Sequence, residues 1–300
     1  MILIPSTASP DRPSPDAVCH AIAQRNGSPL FLVSRLLGGA KRRLFISAYA
    51  AMRVIDDLVD ENFLALPREQ RPGQRERVLE KIETWRLQAR AASRHAFTPR
   101  ADSFHPDVFL ALNETIGQSD LGDWPWDALA DAMRHDVHEQ EIVTWEDFLA
   151  YCEGATVSPA ATFAYILACE VQDGHYRLNR PDPFCRDQVR DMAIFCYLIH
   201  IARDLAKDAR KDRQLITIPT GMLAEAGFGR DTLAAGLDRK ASLIPLIRAL
   251  TDRASERLAT GLDPIARLPL RTLERWILDR LLNKYRALHL QLIENPLRYL

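Results

Sequence analysis

Apolar residues recur at intervals of three and four in most windows of this chain, and strand signals are scarce. That period keeps one face of a helix buried turn after turn. Ala, Leu, Arg and Glu, all good helix formers, dominate those windows. The spacing predicts helices over residues 15–26, 29–37, 40–61, 72–92, 105–118, 125–141, 145–171, 185–211, 219–227, 229–260 and 268–294. Ser14-Pro15-Asp16 has the form of a cap followed by proline in the first turn, and Thr144 with Asp147 is a capping-box variant. Stretches punctuated by Pro and Gly at 65–74, 94–106 and 173–184 read as loops. No composition shift or internal repeat divides the chain. The expected fold is therefore all-α, with a single helical domain over residues 15–300 after a flexible Pro/Ser-rich leader over 1–14.

The formal net charge of −1 offers no global field for nucleic acid, and no nucleic-acid partner is expected. Five cysteines without a CxxC read as reduced, mostly buried thiols, which argues against structural zinc. The N-terminus lacks a cationic start, and no run reaches 18 apolar residues. A cytoplasmic protein is the expectation. Neither a P-loop nor a Ser–His–Asp arrangement is visible, and the His135/His138 pair in "HDVHE" reads as a polar helix end rather than a metal site.

Helix 40–61 carries Tyr49, Arg53, Asp56 and Asp60 at spacings of 4, 3 and 4, so they share a narrow arc. Phe45, Ile46, Met52, Val54, Ile55, Leu58 and Val59 occupy the remaining faces. Helix 185–211 repeats the design with Tyr197, His200, Asp204 and Asp208 at spacings of 3, 4 and 4. A solvated helix would show a broad polar face, not one acidic seam on an apolar cylinder. Unpaired buried carboxylates are costly, so these seams demand positive charge. Two facing Asp pairs form a set of hard oxygen ligands suited to Mg²⁺ shared with phosphate oxygens. Arg53, Arg203, Lys211 and Arg213 are placed to complete neutralisation of a bound diphosphate.

The run from Arg25 through "YAAMRVIDDLVDE", "YCEGATVSPA" and "LIHIARDLAKDARKDRQLITIP" resembles the squalene/phytoene synthase family in order and spacing over about residues 25–220. These are head-to-head trans-isoprenyl diphosphate synthases. The resemblance implies a helical bundle around a central cavity, holding two or three Mg²⁺ ions and prenyl diphosphate substrates. It implies Asp56, Asp60, Asp204 and Asp208 as metal ligands, with His200 where the family usually has an Asn ligand. It implies catalytic roles for Tyr49, Arg53 and Tyr151, and a substrate-binding role for Asp136. Tyr197 stands where the family has Gln. Gly27 and Pro29 replace two serines of the substrate end, and Pro159 interrupts the central motif, where a kink is expected. The family's C-terminal tyrosine motif has no clear match; Tyr285 and Trp276 lie near it, out of register.

The implied reaction ionises an allylic diphosphate in a dry aromatic pocket, for which Tyr49, Tyr151, Phe163, Tyr165, Phe195 and Tyr197 are the candidate wall. A second prenyl diphosphate then gives a cyclopropylcarbinyl diphosphate, and this rearranges to a C30 or C40 hydrocarbon. Squalene formation in the family also consumes NADPH; the chain has no GxGxxG, and such proteins have no Rossmann domain. Release of an oily product implies peripheral membrane contact. The departures keep two alternatives in view: a terpene cyclase or altered-acceptor prenyltransferase on the same scaffold, and a non-catalytic isoprenoid-binding relative. The sequence carries no signal of oligomeric state.

Overall fold

The computed structural model describes residues 13–25, 29–180 and 183–300. Most of the expected leader and Gly27 lie outside the described residues. Thirteen α-helices run through the rest: α1 Pro15–Arg25, α2 Pro29–Ser34, α3 Gly39–Asp57, α4 Arg71–Ser93, α5 Pro106–Thr115, α6 Trp124–Val137, α7 Trp145–Cys152, α8 Ser158–Ala168, α9 Phe184–Lys211, α10 Thr220–Glu225, α11 Leu233–Gly236, α12 Ile244–Ala266 and α13 Thr272–Glu294. The all-α expectation holds, and both N-terminal signals are present. The Ala17 amide donates to Ser14 Oγ at 3.3 Å. Thr144 and Asp147 exchange side-chain-to-backbone bonds at 3.1 and 2.8 Å.

Three expected helices are interrupted. The helix over 40–61 stays α-helical to Asp57 and widens into a π turn over Leu58–Phe63, where the Leu64 amide reaches back five residues to the Val59 carbonyl at 2.8 Å. The helix over 145–171 becomes α7, a second π turn over Glu153–Val157, and α8. Pro159, which lacks an N–H, sits in the first turn of α8, so the kink expected there takes the form of that π turn. Gly154 makes the turn possible, since a Cβ there would stand 2.0 Å from the Ala128 carbonyl oxygen of α6. The helix over 229–260 is broken by a 3₁₀ segment, Leu237–Leu243, in which Arg239 leaves the helical region (φ −113°, ψ 61°), and Pro245 starts α12 afresh.

The chain also forms a small hairpin, whose first strand takes the end of the helix expected over 145–171 and whose second lies in the expected loop over 173–184. Strand β1, Glu170–Gln172, pairs antiparallel with β2, His175–Arg177, around Asp173-Gly174. Both turn residues have positive φ, 50° and 79°. An Asp-Gly pair in a two-residue hairpin loop is the strongest local signal for such a turn, and it was present in the sequence.

Helix α9 is the central element. It packs along α12 and against α8 and α13, while α3 packs on α1, α5 and α8, and α4 lies on α5 and α6. Trp85 of α4 donates its indole N–H to the Ala51 carbonyl at 2.8 Å and meets Trp126 edge to face, with centroids 6.2 Å apart. The basic run at 41–43 is structural: Lys41 bonds the Leu167 carbonyl and Glu274, and Arg43 pairs with Asp16 and Glu114. No helix among the described residues is long and apolar enough to cross a membrane.

One buried cation ties three helix ends together. The Arg71 side chain is 1% exposed. Its guanidinium donates to the carbonyls of Leu64 (2.6 Å) and Leu66 (3.1 Å) after the first π turn, to Glu139 beyond α6 (2.9 Å), and to Asp212 beyond α9 (2.5 Å). Arg75 reinforces Glu139 at 2.5 Å, and Arg68 lies 3.4 Å from Asp212. Breaking a buried pair strands its partner charges, so Arg71→Met is expected to cost about 3–5 kcal/mol in urea denaturation.

Candidate active site

A cavity of about 580 Å³ is lined by residues of α3 and its π turn, α6, α7, α8, α9 and the segment after α9. Helix α3 presents Phe45, Ala48, Tyr49, Met52, Arg53 and Asp56, the stripe expected of a period near 3.6. The π turn carries Asp60, Glu61 and Leu64 onto the same wall. Phe45 precedes Asp56 by eleven residues, about 16 Å of helix rise, so this wall runs from an aromatic end to an acidic one. Phe45 stacks on Tyr49 (centroids 5.7 Å apart) and meets Phe163 edge to face at 5.9 Å.

Opposite, α9 presents Tyr197, His200, Ile201, Asp204, Lys207, Asp208 and Lys211, and the chain beyond adds Gln214, Leu215 and Thr217. Helix α6 contributes Leu129, Met133 and Asp136, and α7 contributes Tyr151. Both sequence-read seams therefore open onto one cavity. Asp208 sits in the last turn of α9, where the dipole is negative, so the backbone adds to the need for a cation.

The two aspartate pairs differ electrically. Burial and the neighbouring Asp57, Asp136 and Glu61 raise Asp56 to about 6, against the opposing pull of Arg53. Burial, Asp56 and Asp136 raise Asp60 to about 8. Arg53 is the nearby compensation, 2.7 Å from Asp56 and also paired with Asp57. On α9, burial pushes Asp204 upward, but Arg203 and His200 outweigh it and hold the carboxyl below its usual range. Arg203 grips both Asp204 oxygens, at 2.7 and 2.6 Å. Burial and Asp204 raise Asp208.

His200 is exposed, and burial of its ring face lowers its pKa, keeping it neutral. Its Nε2 lies 3.0 Å from Asp204 and its Nδ1 accepts from Arg203 at 3.3 Å. Both ring nitrogens are thus engaged. Tyr151 donates to Asp136 at 3.1 Å and packs on the His135 ring. Burial pushes the Tyr151 and Tyr197 phenols well above their usual range, so both stay protonated. Tyr197 stacks on Phe148 and donates to Thr217 at 3.2 Å.

Several sequence-read residues lie elsewhere. Arg203 is behind the wall on Asp204, and Arg213 pairs with Asp231 at 2.7 Å, away from the cavity. Tyr165 is core, bonded to Asp120 and the Tyr176 carbonyl; Phe195 is core against His289. Trp276 is exposed, while Tyr285 lies within electrostatic reach of Arg203 and Asp204. Lys207 went unread, although it stands three residues after Asp204 on the same stripe. Gln214 lies in a single 3₁₀ turn, Arg213–Leu215, and Thr217 in irregular chain, which no period reveals.

Among the described residues, no three His, Cys, Asp or Glu side chains form a ready-made metal centre. The donor set nevertheless fits divalent cations brought in with an anion: two carboxylate pairs line one cavity, and burial with mutual repulsion raises the pKa of both α3 carboxyls.

A family model described as "Squalene/phytoene synthase" matches residues 23–288. The 15-cis-phytoene synthase of Enterobacter agglomerans is 27% identical over 270 residues, covering 89% of this chain and 83% of the relative. That of Pantoea ananas is 27% identical over 266 residues, covering 86% and 77%. Among solved structures, squalene synthase HpnC from Alicyclobacillus acidocaldarius superposes with a TM-score of 0.67 at 21% identity, covering 93% of each chain. A dehydrosqualene synthase in complex with ligand gives 0.66 at 17% identity, covering 91% of this chain and 84% of that one.

The raised aspartates fix a sign. A carboxyl whose folded pKa exceeds its unfolded value binds more protons in the folded state, so stability falls as pH rises between the two values. For Asp56 and Asp60 that window runs from the ordinary aspartate value of 3.8 to about 6 and about 8. The melting temperature of metal-free protein is expected to fall from pH 5 to pH 8, and Asp60→Asn is expected to flatten the fall in a thermal-denaturation series.

Proposed function

The chain belongs to the squalene/phytoene synthase family and is a prenyltransferase, and from that premise we propose that it condenses two prenyl diphosphates, farnesyl or geranylgeranyl, head to head. The observation that carries this reading is a single cavity with two aspartate pairs at one end and aromatic rings at the other.

Asp56 and Asp60 on one side, with Asp204 and Asp208 on the other, would hold two or three Mg²⁺ ions. When bound, the ions supply the positive charge that lets a diphosphate leave. Arg53, Lys207 and Lys211 add charge directly, Arg53 by exchanging its present carboxylates for phosphate oxygens. As the allylic C–O bond breaks, its electron pair goes to the diphosphate, and the cation remains between the rings of Phe45, Tyr49 and Phe163. Met52, Leu129, Met133 and Ile166 exclude the water that would capture it. The alkene of the second substrate attacks the cation, and loss of a proton to an oxygen of the departed diphosphate closes the cyclopropylcarbinyl diphosphate. Tyr151 and Tyr197, neutral throughout, present phenol dipoles rather than act as bases. His200 positions Asp204 through its Nε2, with Arg203 fixing the opposite nitrogen.

Incubation with farnesyl or geranylgeranyl diphosphate and Mg²⁺, followed by mass spectrometry, is expected to yield a cyclopropylcarbinyl diphosphate or a C30/C40 hydrocarbon. A C15/C20 alcohol or cyclic product would replace this reading with a cyclase, and folded protein without diphosphate release would leave a binding relative. Asp60→Asn and Asp208→Asn are each expected to lower kcat by about 10²–10³-fold, a loss typical of one transition-state charge contact.

A further inference from the structure

Arg230, in the loop between α10 and α11, is a buried cation without a counter-ion. It is 8% exposed. Among the described residues its one hydrogen bond runs from Nη1 to the Gln214 side-chain oxygen at 3.4 Å, its Nε has no partner, and no ion pair reaches it. Other buried cations here are arranged differently: Arg71 makes four bonds, two of them to carboxylates. Burial accordingly lowers the Arg230 pKa, against the more distant pull of Glu141 and Asp136 and with Arg213 opposing the charge. A guanidinium taken out of water and left unpaired costs several kcal/mol, a strain the fold tolerates where a ligand relieves it.

The loop holds this cation in place from both sides. Thr232 Oγ1 accepts from the Gly229 amide at 2.8 Å and donates to its carbonyl at 3.2 Å. Arg213 binds both oxygens of Asp231 at 2.7 and 2.9 Å. Arg213 thus tethers the loop through Asp231, the residue next to Arg230. Gln214 stands in the cavity wall beside Lys211, so rotation of one amide side chain opens a path from the cavity to Arg230.

We propose that Arg230, reached past Gln214, is an anion subsite for the diphosphate of the second prenyl substrate. This rests on the head-to-head reading, which brings two diphosphates into one cavity. One departs in the first step and the other survives into the cyclopropylcarbinyl product. The aspartate-held cations and Arg53 serve the departing group, and the fork of Arg230 matches two oxygens of the retained one.

The test is isothermal titration with farnesyl thiodiphosphate and Mg²⁺, paired with thermal denaturation. The intact protein is expected to bind two molecules. Arg230→Met is expected to keep one at unchanged affinity and weaken the other at least tenfold, without lowering the melting temperature, since an unpaired buried charge has been removed. Arg230→Lys, which retains the charge, is expected to fall between them, and it decides the matter if the Met variant does not fold. Two undiminished sites in either variant overturn the subsite alone. A lowered melting temperature with both sites intact makes Arg230 the structural counter-charge of Asp136 and Glu141, and also overturns it. A single site in the intact protein overturns it too, whereas no binding at all sinks the prenyl diphosphate reading itself.

Discussion

The geometry of the site depends on Arg71. Three chain segments leave their helices just beyond the carboxylates: the π turn after α3, the end of α6 and the end of α9. Each exposes backbone or acidic groups that need a partner away from water. A single guanidinium supplies it, bonding Leu64, Leu66, Glu139 and Asp212 at once. Its planar fork suits this task as an ammonium would not. Without that clamp, the repulsion among Asp56, Asp60 and Asp136 would act on helix ends with nothing to hold them together.

The two aspartate pairs are alike in spacing and unlike in charge. Asp204 is held below its usual range by Arg203 and oriented by His200, whereas burial and the neighbouring Asp56 and Asp136 raise Asp60 to about 8. The α3 side therefore carries the larger unmet need for positive charge. The π turn contributes to this: it widens the helix just where Asp60 must join Asp56 on the cavity wall. A second π turn follows Tyr151, so both irregular turns flank residues lining the cavity, in keeping with the tendency of such turns to occur at functional sites.

Aromatic residues divided by helix face and by partner. Phe163 and Tyr165, about 200° apart on α8, point opposite ways: Phe163 meets Phe45 at the cavity while Tyr165 is consumed by Asp120 and the hairpin. Arginines divided likewise. Arg53 faces the cavity, Arg203 and Arg213 hold neighbouring carboxylates, and Arg230 is buried beside the wall. Side-chain type set the candidates, and the partners each found in three dimensions set the roles.

The helical class, the two acidic seams and their attachment to apolar helices are properties of period and composition, so the sequence alone determined them. Both seams could be read because each lies on one helix or, for Asp60, in the π turn that continues it, where a residue's direction follows closely from its number. The widening at Leu58–Phe63, the break at Arg239, the clamp of Arg71 and the isolation of Arg230 were decided only by tertiary packing. Each depends on groups from segments far apart in the chain, and no local period carries that information.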